Sequence, residues 1–244
     1  MYRLILFILF RSRATKIAIA MIAVPAIQLI FASFLPAHAS ESNLSDADNT
    51  LILTSSALVL LMTPGLAFFY GGFTQAKNVL NTMAMSFVMM GIATLVWSIV
   101  GFSLAFSDGG ASNAFIGNPS TYAFLENLPL NWDGLRIPGL SFALFQGMFA
   151  IITPALISGA LVERISFRFW CFFTPIWILL VYAPLAHMVW GGGLLGKDLD
   201  FAGGTVVHIS SGVSALVLAG LVGSRRTWPK RIKPPHDITQ VLIG

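Results

Sequence analysis

Long apolar runs alternate with short polar segments along most of this chain. Downstream of residue 50, five such runs predict helices over residues 51–70, 81–106, 141–161, 169–190 and 201–222. Each run has roughly the 20 residues that an α-helix needs to cross a bilayer core. The prolines inside these runs are compatible with membrane helices, because neighbouring helices can satisfy the freed backbone groups. The pattern therefore predicts an all-α membrane protein with five transmembrane helices.

The first 39 residues have the pattern of a cleavable signal peptide. Basic residues between Arg3 and Lys16 precede an apolar stretch at 17–35, and a small-x-small site ends at Ala39. The alternative is an uncleaved additional helix, but the polar and acidic segment that follows favours cleavage. We therefore predict a signal peptide at 1–39 and a mature chain at 40–244.

The distribution of Lys and Arg predicts the orientation of the helices. These residues are alternately scarce and enriched in successive connecting segments. The segment after the fifth run is the most basic, with Arg225, Arg226, Lys230, Arg231 and Lys233. By the positive-inside rule, the mature N-terminus is outside and the C-terminus is cytoplasmic. The predicted location is the plasma (inner) membrane, as a multi-pass protein.

The composition indicates a lipid bilayer, rather than nucleic acid, as the partner. Hydrophobic residues form 56% of the chain, charged residues form 10%, and the mean hydropathy is +0.81. The net charge is +4, but the basic residues stand in short clusters beside apolar runs. Such clusters are typical of membrane-flanking loops, and they give no basic aromatic surface for nucleic acid.

Five helices are an odd number, so a second copy of this unit would enter the membrane with inverted topology. Inverted repeats place a substrate site at their interface near the bilayer midplane. The last residues, 241–244, read as the start of another apolar run. We therefore predict that 40–244 is the N-terminal five-helix half of a larger domain, truncated before a sixth helix.

His208 is the first candidate for chemistry. It stands seven residues beyond Phe201, about 10 Å into the membrane at 1.5 Å per residue. An ionisable side chain at such a depth is costly and usually faces a cavity or a partner. We predict a pore-lining imidazole that accepts a hydrogen bond from a small polar permeant or relays its proton. The alternative is a neutral imidazole that only bonds to another helix.

Asp200 and Trp190 flank the same region. Asp200 directly precedes the fifth run, where it can cap the free N–H groups of the helix and attract a monovalent cation to a vestibule. Trp190 ends the fourth run and is followed by three glycines. Its alternative role is that of an anchor in the interfacial aromatic belt, whereas an indole face at a vestibule can bind a cation.

Phe145 and Phe149 are four residues apart and share one face of the third helix. Beside a cation site, their rings could bind the cation and block the pore below it, although most such phenylalanines only pack. A metal site of His187, His208 and Asp200 has no recognisable ligand spacing. We predict no metal, no cofactor and no enzyme activity, because the sequence has no phosphate loop, nucleophile elbow or redox cysteine pair.

These residues belong to segments that resemble the ammonium transporter (Amt/Mep/Rh) family. The strongest match is Asp200-Phe-Ala-Gly-Gly-Thr-Val-Val-His208. Further matching segments lie at 62–72, 77–81, 145–150, 159–164 and 186–193. Together they cover most of the predicted mature chain in the order and spacing of the family, which makes the resemblance specific.

The resemblance implies an eleven-helix domain of two inverted five-helix halves, assembled as a homotrimer with one pore per subunit. Trp190 and Phe149 would belong to an outer site that recruits ammonium, and Phe145 and Phe149 to an aromatic gate. His208 would be the first of two pore histidines, and Asp200 would support the recruitment site structurally and electrostatically. The implied function is transmembrane transport of ammonium, with methylammonium as its analogue. The cation would be recruited outside and deprotonated, and ammonia would pass the histidine.

The family's second half, with its partner histidine, second gate phenylalanine and recruiting serine, is missing from this sequence. Transport is therefore expected only together with that half. The alternative function is a non-transporting half-subunit that interacts with intact ammonium transporter trimers.

Overall fold

Five long helices dominate the computed structural model, which describes residues 44–197, 200–225, 228–229 and 234–244. They are α1 (Asp46–Phe73), α2 (Ala76–Phe106), α3 (Gly139–Leu161), α4 (Phe167–Trp190) and α5 (Gly204–Val222), all long and apolar enough to cross a membrane. Within the described ranges there is no strand, and a short helix, α6, covers Ile238–Ile243. The predicted all-α class with five membrane helices is confirmed. The predicted signal peptide at 1–39 lies outside the described residues.

The starts of three helices differ from the hydropathy pattern, and α2 begins at Ala76 rather than at residue 81. Helix α1 begins at Asp46, because the Ser45 hydroxyl oxygen accepts a 3.2 Å hydrogen bond from the N–H of Asp48 and so caps the first turn. Helix α5 begins at Gly204, after Gly203 in the left-handed conformation with φ 75°. His208 therefore lies about 6 Å from the start of its helix.

Helix α3 forms the centre of the bundle. It packs against α1, α2 and α5, while α2 also packs against α4. In the most apolar stretch of each helix, 67% of the residues are buried in α3, but only 17% in α1 and 22% in α5. Helices α1 and α5 therefore present apolar faces that lipid or further protein must cover.

Close contacts fix the helices against one another. A Cβ atom added to Gly159 of α3 would overlap the Tyr70 ring of α1, and the Tyr70 hydroxyl donates a 3.0 Å hydrogen bond to the Leu156 carbonyl. On the other side of α3, the buried Trp97 indole donates to the Ala143 carbonyl at 3.1 Å. These bonds satisfy the polar groups of Tyr70 and Trp97 at the helix interfaces.

Three helices contain wide π-helical turns, at Trp97–Gly101, Ile178–Tyr182 and Gly204–Ile209. The first two turns meet, with the Trp97 and Tyr182 ring centroids 5.9 Å apart. Such turns rotate the side chains that follow and often occur at functional sites. The third turn contains His208.

The connection from α3 to α4 binds the connection from α1 to α2 through Glu163. Its carboxylate accepts hydrogen bonds from the Thr74 hydroxyl at 3.0 Å and from the Gln75 N–H and side-chain amide, each at 2.9 Å. The Asn78 side chain is a further donor. We call these four residues the Glu163 clasp. The adjacent Arg164 donates to the Gly223 carbonyl at 2.6 Å and so closes the C-terminal end of α5.

The last described segment packs against the first helix. Helix α6 is capped by the Asp237 carboxylate, which accepts a 3.0 Å hydrogen bond from the N–H of Gln240. It lies along α1, and the Gly72 carbonyl accepts from the N–H of His236 at 3.2 Å. The predicted onset of an apolar run near residue 241 thus coincides with a short helix against α1.

Candidate functional site

Asp200 closes the start of α5. One carboxylate oxygen accepts from the N–H of Gly204 at 2.6 Å, and the other accepts from Thr205 at 2.9 Å and Val206 at 3.1 Å. This is the capping geometry expected from the sequence, and it satisfies three N–H groups that have no partner inside the helix. The negative charge of Asp200 is therefore held at a fixed place beside α5.

Trp190, Phe149 and Phe145 form a row of touching aromatic rings. The Trp190 and Phe149 centroids are 6.1 Å apart at 63°, and those of Phe149 and Phe145 are 5.0 Å apart at 86°. The Trp190 indole N–H donates a 2.9 Å hydrogen bond to the main-chain carbonyl of Asp200. That bond ties the end of α4 to the start of α5, and it fixes the orientation of the indole ring.

These rings line a cleft of about 420 Å³, which we call the Trp190 cleft. Its lining residues are Phe106, Phe142, Phe145, Gln146, Phe149, Val189, Trp190, Asp200, Phe201 and Gly203. All the predicted site residues except His208 converge here. The lining is aromatic and apolar, and the polar side chains in it belong to Gln146 and Asp200.

Gln146 lines the same cleft, although the sequence reasoning did not single it out. Its side-chain oxygen is buried and has no hydrogen-bond partner among the described residues. The signal was present in the sequence, because Gln146 is the single polar side chain between Phe145 and Phe149. A glutamine in a membrane helix has many possible partners on neighbouring helices, so the sequence alone does not mark it as a cleft residue.

His208 lies in a second cleft, of about 670 Å³, between α1, α3 and α5. We call it the His208 cleft; it is lined mainly by apolar residues of α1 together with Phe149, Ile152, Val207 and the end of α6. The His208 side chain is exposed to this cleft, and within the described part of the chain its ring makes no hydrogen bond. Phe149 lines both clefts and therefore stands at their boundary.

His187 does not share this site. It is fully buried, and its ring nitrogens lie 3.1 Å from the Ala105 carbonyl oxygen and 2.8 Å from that of Asn113. These contacts fasten the end of α4 to the end of α2 and the loop after it. Among the described residues, no group of three potential ligands could hold a metal ion.

Comparisons with a family profile and with individual relatives point to the same family of proteins. The profile of the Ammonium Transporter Family matches residues 50–244. An ammonium transporter of Aquifex aeolicus is 47% identical over 218 residues, covering 88% of this chain and 50% of the relative. An ammonium transporter of Mycobacterium bovis is 44% identical over 225 residues, covering 81% of this chain and 46% of the relative.

The solved structures agree with the sequences. The crystal structure of Saccharomyces cerevisiae Mep2 superposes with a TM-score of 0.74 at 33% identity, covering 82% of this chain and 46% of that one. This chain thus spans about half the length of the relatives it matches. The sequence relatives are named as transporters rather than as enzymes.

Proposed function

Because this chain belongs to the ammonium transporter family, we propose that it forms one half of a pore that binds ammonium and conducts ammonia. One observation carries the proposal. The aromatic Trp190 cleft and the His208 cleft adjoin each other at a single ring, that of Phe149. A cation site and an imidazole are thus separated by one apolar barrier.

The proposed recruitment site is the Trp190 cleft. The faces of Trp190 and Phe149 attract a monovalent cation through their quadrupoles, a contribution of about 0.5–2 kcal/mol that depends on desolvation. The fixed carboxylate of Asp200 lowers the electrostatic cost of bringing the cation to this place. Its three N–H bonds hold the carboxylate still, so that the same residue serves structure and recruitment.

The proposed gate is the Phe145–Phe149 pair. A bare cation is strongly disfavoured in an apolar passage, whereas neutral ammonia has no charge to desolvate. Ammonium therefore transfers a proton to solvent water on the Trp190 side before the nitrogen passes Phe149. On the other side, a neutral His208 imidazole has one ring nitrogen free to accept a hydrogen bond from ammonia.

The proposed pore requires a second wall. The His208 cleft is bounded by α1, α3 and α5, and the apolar faces of α1 and α5 are largely exposed. In this proposal an inverted second half covers those faces, and the complete domain assembles as a homotrimer in the plasma membrane. The signal peptide at 1–39 places the mature N-terminus outside and the C-terminus in the cytoplasm.

Uptake of labelled methylammonium by transporter-deficient cells tests the proposal. We expect no uptake with this chain alone, and uptake when the six-helix half of a relative is co-expressed. In that pair, His208→Ala should reduce or alter uptake. His236→Ala is the matched control, because His236 lies outside both clefts. Strong uptake by the chain alone, or equal effects of the two substitutions, would contradict the proposal.

The exposed faces of α1 and α5 also suit a second function, that of a non-transporting half-subunit that binds intact ammonium transporter trimers. Co-expression with an intact relative separates the two functions. A non-transporting partner lowers the uptake by the intact protein and yields no uptake with the complementary half. The conducting half restores uptake in a cell that has no other transporter.

A further inference from the structure

We propose that the side-chain carbonyl oxygen of Gln146 is the hydrogen-bond acceptor for the ammonium ion in the Trp190 cleft. The inference rests on the proposed function and deepens it. Ammonium differs from other monovalent cations because it carries four N–H donors and no acceptor. A site that selects it needs hydrogen-bond acceptors as well as negative potential.

The other polar groups of the cleft already make hydrogen bonds within the protein. The Asp200 carboxylate already accepts three main-chain N–H bonds, out of about four positions that a carboxylate offers. The Trp190 indole N–H is a donor, and it is bonded to the Asp200 carbonyl. The aromatic rings offer their faces, which recognise charge but do not distinguish ammonium from a cation without N–H groups.

Gln146 provides a hydrogen-bond acceptor that is not already bonded. It lies next to Phe145 in sequence and lines the cleft together with Phe149 and Trp190. Its carbonyl oxygen is buried without a hydrogen-bond partner in the part of the chain that the structure describes. Buried polar groups in native proteins nearly always have a partner, because an unpaired one is destabilising. The torsion that orients the terminal amide is broad and two-fold, so a turn of the amide exposes this oxygen to the cleft, where a bound cation with N–H donors supplies the partner.

In this proposal the aromatic rings and the Gln146 amide recognise different features of the cation. Trp190 and Phe149 respond to the positive charge, while Gln146 responds to the N–H group. The cleft therefore favours ammonium and methylammonium over tetramethylammonium, which has the same charge and no donor. This difference separates a ligand contact from a merely structural role of Gln146.

The test compares ammonium with tetramethylammonium on the whole 244-residue chain in lipid nanodiscs. NMR titrations measure the binding of [15N]ammonium and of tetramethylammonium. Gln146→Met, which keeps the length of the side chain and removes the acceptor, should weaken ammonium binding about tenfold, the size of one hydrogen bond to a charged group. Its binding of tetramethylammonium should stay unchanged.

Gln240→Met is the matched control. Gln240 lies on α6, outside both clefts, and its side-chain amide contacts the Met83 sulfur at 3.4 Å. We expect this variant to bind both cations as the unaltered chain does.

Three results would overturn the inference: no ammonium binding by the unaltered chain, equal ammonium affinity in Gln146→Met, or an equal loss for both cations. The two proposals can fail separately. If Gln146→Met binds ammonium with unchanged affinity while the co-expressed halves still take up methylammonium, the transport proposal stands and only the role of Gln146 is wrong.

Discussion

Two parts of the bundle each place a carboxylate at the end of a helix, and they use the remaining polar groups differently. In the Glu163 clasp, the carboxylate holds the loop between α1 and α2, and each donor of the clasp is directed to it. In the Trp190 cleft, Asp200 is similarly bonded, but the neighbouring Gln146 oxygen has no partner among the described residues. The comparison sets a carboxylate that stabilises the fold against a buried amide oxygen that we propose as a ligand contact.

The ionisation of Glu163 shows how strongly the clasp is bonded. Burial raises the pKa of this carboxyl group, but the hydrogen bonds from Gln75, Asn78 and Thr74 lower it by more, and the resulting pKa is about 2. The bonds to the ionised form thus outweigh desolvation. A carboxylate held in this way contributes to folding and has little capacity left for a substrate.

Removing the clasp carboxylate should have the largest effect on stability. Glu163→Ala deprives Thr74 and Gln75 of their acceptor, and we expect a loss of about 2–3 kcal/mol, since hydrogen bonds to charged groups contribute about 1.5–3 kcal/mol and water replaces part of them. Thermal unfolding in nanodiscs measures the change. Glu126→Ala, in an exposed loop, is the control. Equal unfolding temperatures for the two variants would show that the clasp is not structural.

A low pH should weaken the stabilisation that the Glu163 carboxylate gives to the folded protein. The pKa of Glu163 is about 2 in the folded protein, against 4.5 as its ordinary value. The stabilisation is therefore fully present above pH 4.5 and is lost as the pH falls toward 2. We expect the difference in unfolding temperature between the unaltered chain and Glu163→Ala to shrink over this interval. A difference that stays constant down to pH 2 would contradict the bonding described for the clasp.

The smallest expected effect is on cation binding in the Trp190 cleft. Trp190→Leu removes one cation–π face, and it should weaken tetramethylammonium binding about fivefold, or about 1 kcal/mol. Trp190→Phe retains a ring and should retain part of the affinity. Trp228→Leu changes an exposed tryptophan outside the clefts and should have no effect. If Trp190→Leu binds the cation normally, then the aromatic row is a packing feature and the contrast between the two regions disappears.

The sequence predicted the fold well because hydropathy is a local property. The five apolar runs match α1 to α5, and their prolines at 64, 154 and 175 lie inside the helices. The starts of α1, α2 and α5 were less well predicted. A cap depends on side-chain geometry, and the hydropathy pattern records only where the apolar part begins.

The sequence by itself determined the number of membrane helices, the helical spacing of Phe145 and Phe149, and the position of Asp200 before α5. Only the tertiary structure decided that Trp190 packs on Phe149, that Phe149 borders two clefts, and that the Gln146 oxygen has no donor among the described residues. The physical reason is that the hydrogen bonds a side chain makes depend on every helix within its reach. Those neighbours are distant in sequence, so no local pattern can identify the group that remains unpaired.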